Sequence, residues 1–569
     1  MNNWPTHLKD RWITGSHRIL PVLLLLLFIT LLPAQPTGRP LPYPWEASPS
    51  ETGGGKCGFP AILNAALSHD PTVQSQYRAW NRAHTTAQAM YLSPTGHFKI
   101  YYDTTGYHAI PTYDRNGNGT PDYLEFVANA FDRAWLVEVD TLQFQPPPDS
   151  TGAARTVYPI YCKRIRDYGQ TVLDYRIPVS GRTIYTTHID INTNFSFIQY
   201  PGVSDPIVRD SMAIAVTAAH EFNHALQSGY NLWSDQSGTW FYDIWFIESS
   251  AVYMEELVAD AVNDYLNYLS DYFRVTARPL DEDRLTLADY GKVPFEIMLG
   301  KLFGRNITRR IWEKIVQYRA TEAIEHVLQE EGTSLTSVFP HLAEWLYYIG
   351  PRANPNFFPD ASLFPSLPAD SLEPISFSQP AVVQDSLPRL SFRYYRGVTH
   401  LDGEAIFLLK PDQSTTGVNL YGIFENFATN RVILLPASTP FTCPQPDPGT
   451  SLRFAGINAS FKGEEATPFQ IQVRPAPDST EQTIRVFPQP VRLSSSQAVL
   501  TFHFPATAAT VHIFTASGKP VRTLHLVNTS PGNSWNLRNE RGELVHSGVY
   551  LYRLKTGTQE FTGKIMVIH

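Results

Sequence analysis

The sequence predicts a multidomain α+β chain, and three observations lead to that class. Strand-like runs between residues 97 and 200 mix with helical runs, and helical periodicity then continues for about a hundred residues beyond Glu256. A Pro-rich break follows Arg352. The remainder reads as short alternating strands separated by Gly, Asp and Pro turns, the pattern of two β-sandwich modules of Ig-like type.

The chain begins with Lys9, Arg11 and Arg18 ahead of the apolar run VLLLLLFITLL, and Pro33, Ala34 and Gln35 follow it. Residues 1–35 are therefore expected to be a signal peptide, because the run is short for a bilayer span; no stable membrane span is expected after its removal. Residues 36–56, rich in Pro, Ser and Gly, read as a flexible leader. The whole chain has 569 residues, a net charge of −8 and only 17% charged residues, with no basic run, which argues against a nucleic-acid or anionic-membrane partner. Its three cysteines, Cys57, Cys162 and Cys443, lack C-x-x-C spacing and read as neither a zinc cage nor a disulfide framework. Residues 62–90 read as one or two helices.

The strand HFKIYYD leads into DRNGNGTPDYLE, where Asp114, Asn116 and Asn118 fall at positions 1, 3 and 5 of a twelve-residue calcium loop. Gly119 takes the turn position, Thr120 offers its carbonyl, and Asp122 and Glu125 take positions 9 and 12. A helix is expected from Asp122, whereas a strand and loop precede the motif, so it is EF-hand-like without being a full EF-hand. An Asn-Gly turn that caps the helix without an ion is the competing reading. Strand runs TVYPIYC, TVLDYRI and TIYTTHIDI follow, with TTHIDI expected at the sheet edge and His188 and Asp190 expected as surface polar residues of that strand.

TAAHEFNHALQ carries the chemistry. His220 and His224, four apart on a helix, present two imidazoles to one metal ion, and Glu221 sits beside the open coordination position. The helix is expected from about Asp210, with Gly229 as its C′ residue. A catalytic zinc keeps three protein ligands, and WFIESSAVYMEE supplies the third from a second helix: Glu248 is the best candidate and Glu255 its rival, or else a partner behind a ligand histidine. Ile247, Ala251 and Met254 form the stripe expected to pack on the first helix. Tyr230, Tyr253, Tyr290 and His326 are candidate donors to a developing oxyanion.

HExxH followed by ExxA, here Glu248 to Ala251, resembles the gluzincin metallopeptidases. That resemblance implies His220, His224 and Glu248 as zinc ligands and Glu221 as catalytic base. HFKIYY, DRNGNGTPDYLE and the two helical motifs together resemble a family of secreted bacterial metallopeptidases. The resemblance implies a zincin-like domain over residues 57–350, with a mostly antiparallel sheet beside the HExxH helix and a helical half closing the cleft. Residues 351–375 read as a Pro-rich linker and 376–475 as the first β-sandwich module. Residues 483–569, with FPQP, ASGKPVRTL, SGVYLYRL and TGK, resemble the type A sorting domain of the type IX secretion system, and Gly518, Gly542 and Gly548 fall where hairpin turns favour positive φ.

The expectation is a secreted or surface-exposed zinc endopeptidase. Its partners would be a protein or peptide substrate and the type IX secretion machinery, and calcium would be structural. The alternative is a surface adhesin whose zinc site is idle or structural.

Overall fold

A computed structural model of the protein describes residues 55–568 apart from 236–240, 372–374, 377–380, 401–404, 413–418, 427–430, 444–450, 464, 476–483, 493–497, 505–507, 528–532 and 558. The expected signal peptide and most of the leader lie outside the described residues. No described helix is long and apolar enough to cross a membrane.

The architecture is mixed α/β with several sheets. Helices α1 (Phe59–Leu67) and α2 (Pro71–His84) come first, and Asp70 caps α2 by accepting from Thr72 N–H. Strands β1 (Ala89–Leu92) and β2 (Phe98–Tyr102) precede the calcium-type loop, and α3 (Asp122–Trp135) follows it, running into a π-helical turn, Leu136–Thr141. Then come β3 (Tyr158–Lys163), β4 (Gly169–Val179) and β5 (Arg182–Asn192). The spatial order is β1-β2-β3-β5-β4.

Two expectations about this sheet need correction. It is not mostly antiparallel, because β2 and β5 both run parallel to β3, while β1–β2 and β4–β5 are antiparallel. The edge beside the helices is β4 and not TTHIDI: β5 returns from a tight hairpin and pairs on its far side with β3. Being interior, β5 buries His188 and Asp190, which are not surface residues; His188 Nδ1 lies 2.7 Å from Asp174, and Gln170 donates to Asp190 at 2.8 Å.

Helix α4 (Pro206–Gln227) packs against this sheet and starts earlier than Asp210, since Asp205 accepts from Ile207 N–H and Pro206 suits the first turn. Gly229 is absent from the residues with positive φ; a Cβ there would sit 3.0 Å from Pro148, so close approach explains it instead. Helix α5 (Ile244–Ala259) lies alongside α4. Asp283 fixes its start by accepting from the N–H groups of Asp243 and Trp245. Beyond it run α6 (Leu266–Phe273), α7 (Leu287–Tyr290), α8 (Pro294–Phe303), α9 (Ile307–Ile315), α10 (Ala320–Glu330) and α11 (Leu335–Tyr347). One continuous apolar core joins the sheet to these helices, through Phe98, Phe131, Phe222, Phe246 and Trp312 among others.

Residues expected to form a free linker are packed instead. Phe358 and Phe364 stack at 5.1 Å, both buried, and Phe364 also meets Tyr265 and Phe273. The Pro-rich texture hid enough aromatic surface to anchor the segment. Next, a four-stranded sheet (Phe441–Cys443, Ala405–Pro411, Thr467–Pro475 and Ala381–Leu387, in spatial order) and a six-stranded sheet centred on Ser451–Asn458 share a core of Phe407, Phe424, Phe454 and Phe469. The outer face of the second sheet joins the helical core through Phe392 and Tyr394. The last part has a three-stranded and a five-stranded sheet around Phe502, Trp535 and Tyr552. Gly518 and Gly542 have φ of 82° and 79°, whereas Gly548 opens the strand Gly548–Thr556 and makes no hairpin turn.

Candidate metal centre

Helices α4 and α5 bring His220, His224 and Glu248 together, all buried. The two imidazoles face each other through Nε2, 3.1 Å apart, and Glu248 Oε2 lies 3.2 Å from His220 Nε2 and 3.5 Å from His224 Nε2. Donors on a tetrahedron around zinc, each about 2.0–2.1 Å from it, are about 3.3–3.4 Å apart, so the three atoms have the spacing of a shared ion.

Hydrogen bonds on the far side of each ring decide which nitrogen faces inward. Glu255 Oε1 lies 2.7 Å from His220 Nδ1, and Gln227 Oε1 lies 2.8 Å from His224 Nδ1. The Gln227 amide is not free to turn over, because its Nε2 donates to Asn223 Oδ1, to the Ile247 carbonyl and to Ser250. Both Nδ1 atoms therefore carry hydrogen and both Nε2 lone pairs point at the same spot. Neither oxygen of Glu248 has a hydrogen-bond partner among the described residues, and an unpartnered buried carboxylate is costly. Burial opposes charge at both groups, yet the carboxylates of Glu248 and Glu255 raise His220 to about 9 and the imidazoles of His224 and His220 hold Glu248 down at about 2, so a proton and a metal ion would compete for the His220 Nε2. The pocket is built for a cation, and an N, N, O donor set fits zinc.

Glu255 is thereby placed behind His220 and not among the inward donors. It spans to Lys56, whose Nζ lies 2.9 Å from Glu255 Oε2 and 2.6 Å from Asp264. A second line of support runs behind His224: Glu138, in the π-helical turn, accepts from Asn223, which in turn holds Gln227.

Glu221 is buried on the sheet side. The Thr171 hydroxyl lies 2.8 Å from its Oε2 and 2.8 Å from its carbonyl oxygen. Gly169 leaves it room, since a Cβ there would sit 2.7 Å from Glu221 Cγ. Of the four candidate oxyanion donors only Tyr290 reaches the centre: its ring stacks on His220 at 5.8 Å, and it shares a cavity wall with Glu248. Tyr230 accepts from Gln145 N–H, Tyr253 packs at Gly300, and His326 lies tilted against Tyr318.

The sequence reading set Cys57 aside, and this needs correction. Its thiol joins the two histidines and Glu248, with all four donor atoms within 4.8 Å of one another. Burial first, and then the carboxylates of Glu221 and Glu248, push this thiol well above the ordinary range. Cys57 and Cys162 are both free thiols. The thiol also forms part of the wall of a 480 Å³ cavity, together with Gly58, Trp80, Arg166, Glu248 and Tyr290.

The calcium-type residues do come together. Glu125 accepts from the amides of both Asn116 and Asn118, at 2.8 and 2.7 Å, and Asp114 accepts from Gly117 and Gly119 N–H at 2.8 Å. Thr120 donates its N–H to Asn118 Oδ1. Asp122 is turned toward the Arg115 N–H, and Gly119 has a φ of 88°. The amide nitrogens of Asn116 and Asn118 face Glu125, while their oxygens accept from the N–H groups of Asn118 and Thr120.

No protein-family model matches the chain, and no curated protein matches it. Among solved structures it is weakly similar to PorZ, a surface component of the type-IX secretion system of Porphyromonas gingivalis, at 18% identity over 20% of this chain and 15% of that one, with a TM-score of 0.14. Latent PorU from the same organism gives 15% identity over 33% and 20% of the two chains, and the same TM-score. The chain thus spans a fifth or less of either protein's length.

Proposed function

We propose that the protein is a secreted zinc endopeptidase of gluzincin type, with His220, His224 and Glu248 as the metal's ligands and Glu221 as general base. The observation that carries this reading is the convergence of two Nε2 atoms and an unpartnered Glu248 carboxylate on one point, with Glu221, the residue after His220, buried and held by Thr171. Zinc, when bound, supplies Lewis acidity that makes a water acidic near neutral pH and polarises a carbonyl.

The chain's own residues do the rest. Glu255 and Gln227 keep both imidazoles in the tautomer that offers Nε2. Thr171 fixes one oxygen of Glu221, so its other oxygen is the one that accepts a proton from the attacking water and returns it to the leaving amine. Tyr290, stacked on His220, is the residue assigned to donate to the developing oxyanion. The edge strand β4 gives an extended substrate a partner for backbone hydrogen bonds. Export through the periplasm and outer membrane by the type IX machinery is part of the same reading; it rests on the motifs of residues 483–569.

A second reading has one observation in its favour. A set of two His, one Glu and one Cys can close four positions around zinc, as structural sites do, and would leave a surface adhesin with an idle centre. Glu221 weighs against it, because an idle site has no use for a buried carboxylate beside the metal. Hydrolysis of casein or a peptide by the mature protein, with and without a zinc chelator and in Glu221→Gln, tests the choice. Full activity in Glu221→Gln with zinc retained would refute the mechanism.

A further inference from the structure

We infer that Cys57 is a fourth ligand of the metal and that the segment around it holds the site latent, an inference that deepens the peptidase reading and rests on it. Residues Gly55–Gly58 lie along the edge of the sheet where an extended substrate would bind. Cys57 forms a parallel bridge with Gly169 at the start of β4. Tyr168 donates its N–H to the Lys56 carbonyl at 3.3 Å, and Gly58 donates to the Gly169 carbonyl at 3.0 Å. These are main-chain positions that a bound peptide would need.

The sequence around Cys57 is shaped for this close approach. A Cβ at Gly55 would sit 2.5 Å from Asp167, and one at Gly58 would sit 2.8 Å from Gln170, so larger residues would lift the segment off the strand. Lys56 is buried against Glu255 and Asp264, which ties the segment to the carboxylate behind His220. Immediately after it, Phe59 stacks on His224 at 4.4 Å and starts α1 in the main core. The segment is thus anchored on one side by a helix that belongs to the domain, and on the other continues into the leader.

A thiolate in the fourth position removes the place a hydrolytic water needs, and the paired backbone removes the place a substrate needs. Release requires the Cys57 sulfur to leave and take up a proton, water to enter, and the Lys56 ion pairs to break. No oxidant or reductant is involved. Cleavage of the chain ahead of Phe59 would permit this without disturbing α1.

The test uses the full chain exported by its own signals, loaded with cobalt(II) in place of zinc. The wild type should show a near-ultraviolet thiolate-to-cobalt charge-transfer band, and Cys57→Ala and Cys57→Ser should lose it while keeping the visible cobalt bands that report a folded, loaded site. In the zinc form, the wild-type chain cut between Gly58 and Phe59, which frees both the metal position and the strand edge, should hydrolyse a peptide at least about tenfold faster than the uncut chain. Absence of the band in loaded wild type would overturn the ligand assignment and leave the peptidase reading standing. A band that is lost in both variants with no gain in hydrolysis after the cut would overturn latency and the peptidase reading together, and would identify a closed structural site. Alkylation mapped by mass spectrometry gives a readout independent of both: Cys57 should be protected in the zinc form and modified after chelation, and equal modification in both forms would contradict ligation.

Discussion

Gln227 accepts a hydrogen bond from His224 at a fixed end of its amide, because its nitrogen is already committed to the Ile247 carbonyl, which can only accept. The ring of His224 consequently has one orientation and one tautomer, with its lone pair toward His220 and Glu248.

Removing that support should loosen the metal without unfolding the helix. Gln227→Ala is expected to lower zinc affinity by roughly 10–100-fold, the usual cost of losing a residue that orients a ligand. Competition with a chelator of known affinity measures it, and an unchanged affinity would show that packing alone holds the ring.

Glu248 and Glu255 stand on opposite sides of the His220 ring, so their losses should differ in kind. Glu248→Ala is expected to lose zinc during dialysis. Glu255→Ala should retain it with affinity lower by roughly 10–100-fold, since it only orients a ligand. Metal content by atomic absorption decides this, and equal loss from both would leave the third ligand unassigned.

Glu296 provides a pH prediction away from the metal. Burial raises its carboxyl to about 8 even though Ser249 and Thr308 donate to it. The folded state then binds more protons than the unfolded one between the ordinary carboxyl value of 4.5 and about 8. Stability from this group is full below 4.5 and falls as pH rises through that window. Glu296→Gln should flatten the dependence, as seen in denaturant midpoints measured from pH 5 to 8. An unaltered slope would assign the loss to other groups.

Calcium should act on stability alone. The loop from Asp114 to Glu125 lies between β2 and α3, so an ion bound only to the folded state at ten times its dissociation constant adds roughly 1.4 kcal/mol, from RT ln(1 + [L]/Kd). With two Asn among the ligands the affinity should be weak, roughly 10⁻⁴ to 10⁻³ M. The melting temperature should rise in millimolar calcium and not in Asp114→Ala or Glu125→Ala, with zinc content unchanged. A wild-type melting temperature indifferent to calcium would favour an ion-free turn.

What was legible in the sequence was what local spacing encodes. His220 and His224 share a face because they are four apart, and the helical runs after Glu256 reappear as α6 and α8 to α11 because their apolar periodicity is strong. Pairing of β5 was misjudged because alternation reports burial on one face and says nothing about which neighbour lies on each side. His188 and Asp190 looked like surface residues for the same reason, yet the neighbouring strands enclose them, with Asp174 and Tyr161 against His188 and Gln170 against Asp190. Cys57 was invisible as a member of this cluster because it lies 163 residues before His220, a distance that no motif spans and only the β4 edge closes. Its glycine neighbours were the available signal: small residues on both sides of a Lys-Cys pair mark a backbone that must lie close to something.

The most direct test of the zinc and Glu221 assignment measures zinc content and hydrolysis of a quenched fluorescent peptide together, in the chain cut between Gly58 and Phe59 and in the same cut chain carrying Glu221→Gln. Both proteins should carry one zinc per chain, and the second should hydrolyse the peptide roughly 10²–10⁴-fold more slowly, the range expected for loss of a general base. Equal rates in the two, or no zinc in either, would contradict a zinc centre on His220, His224 and Glu248 served by Glu221.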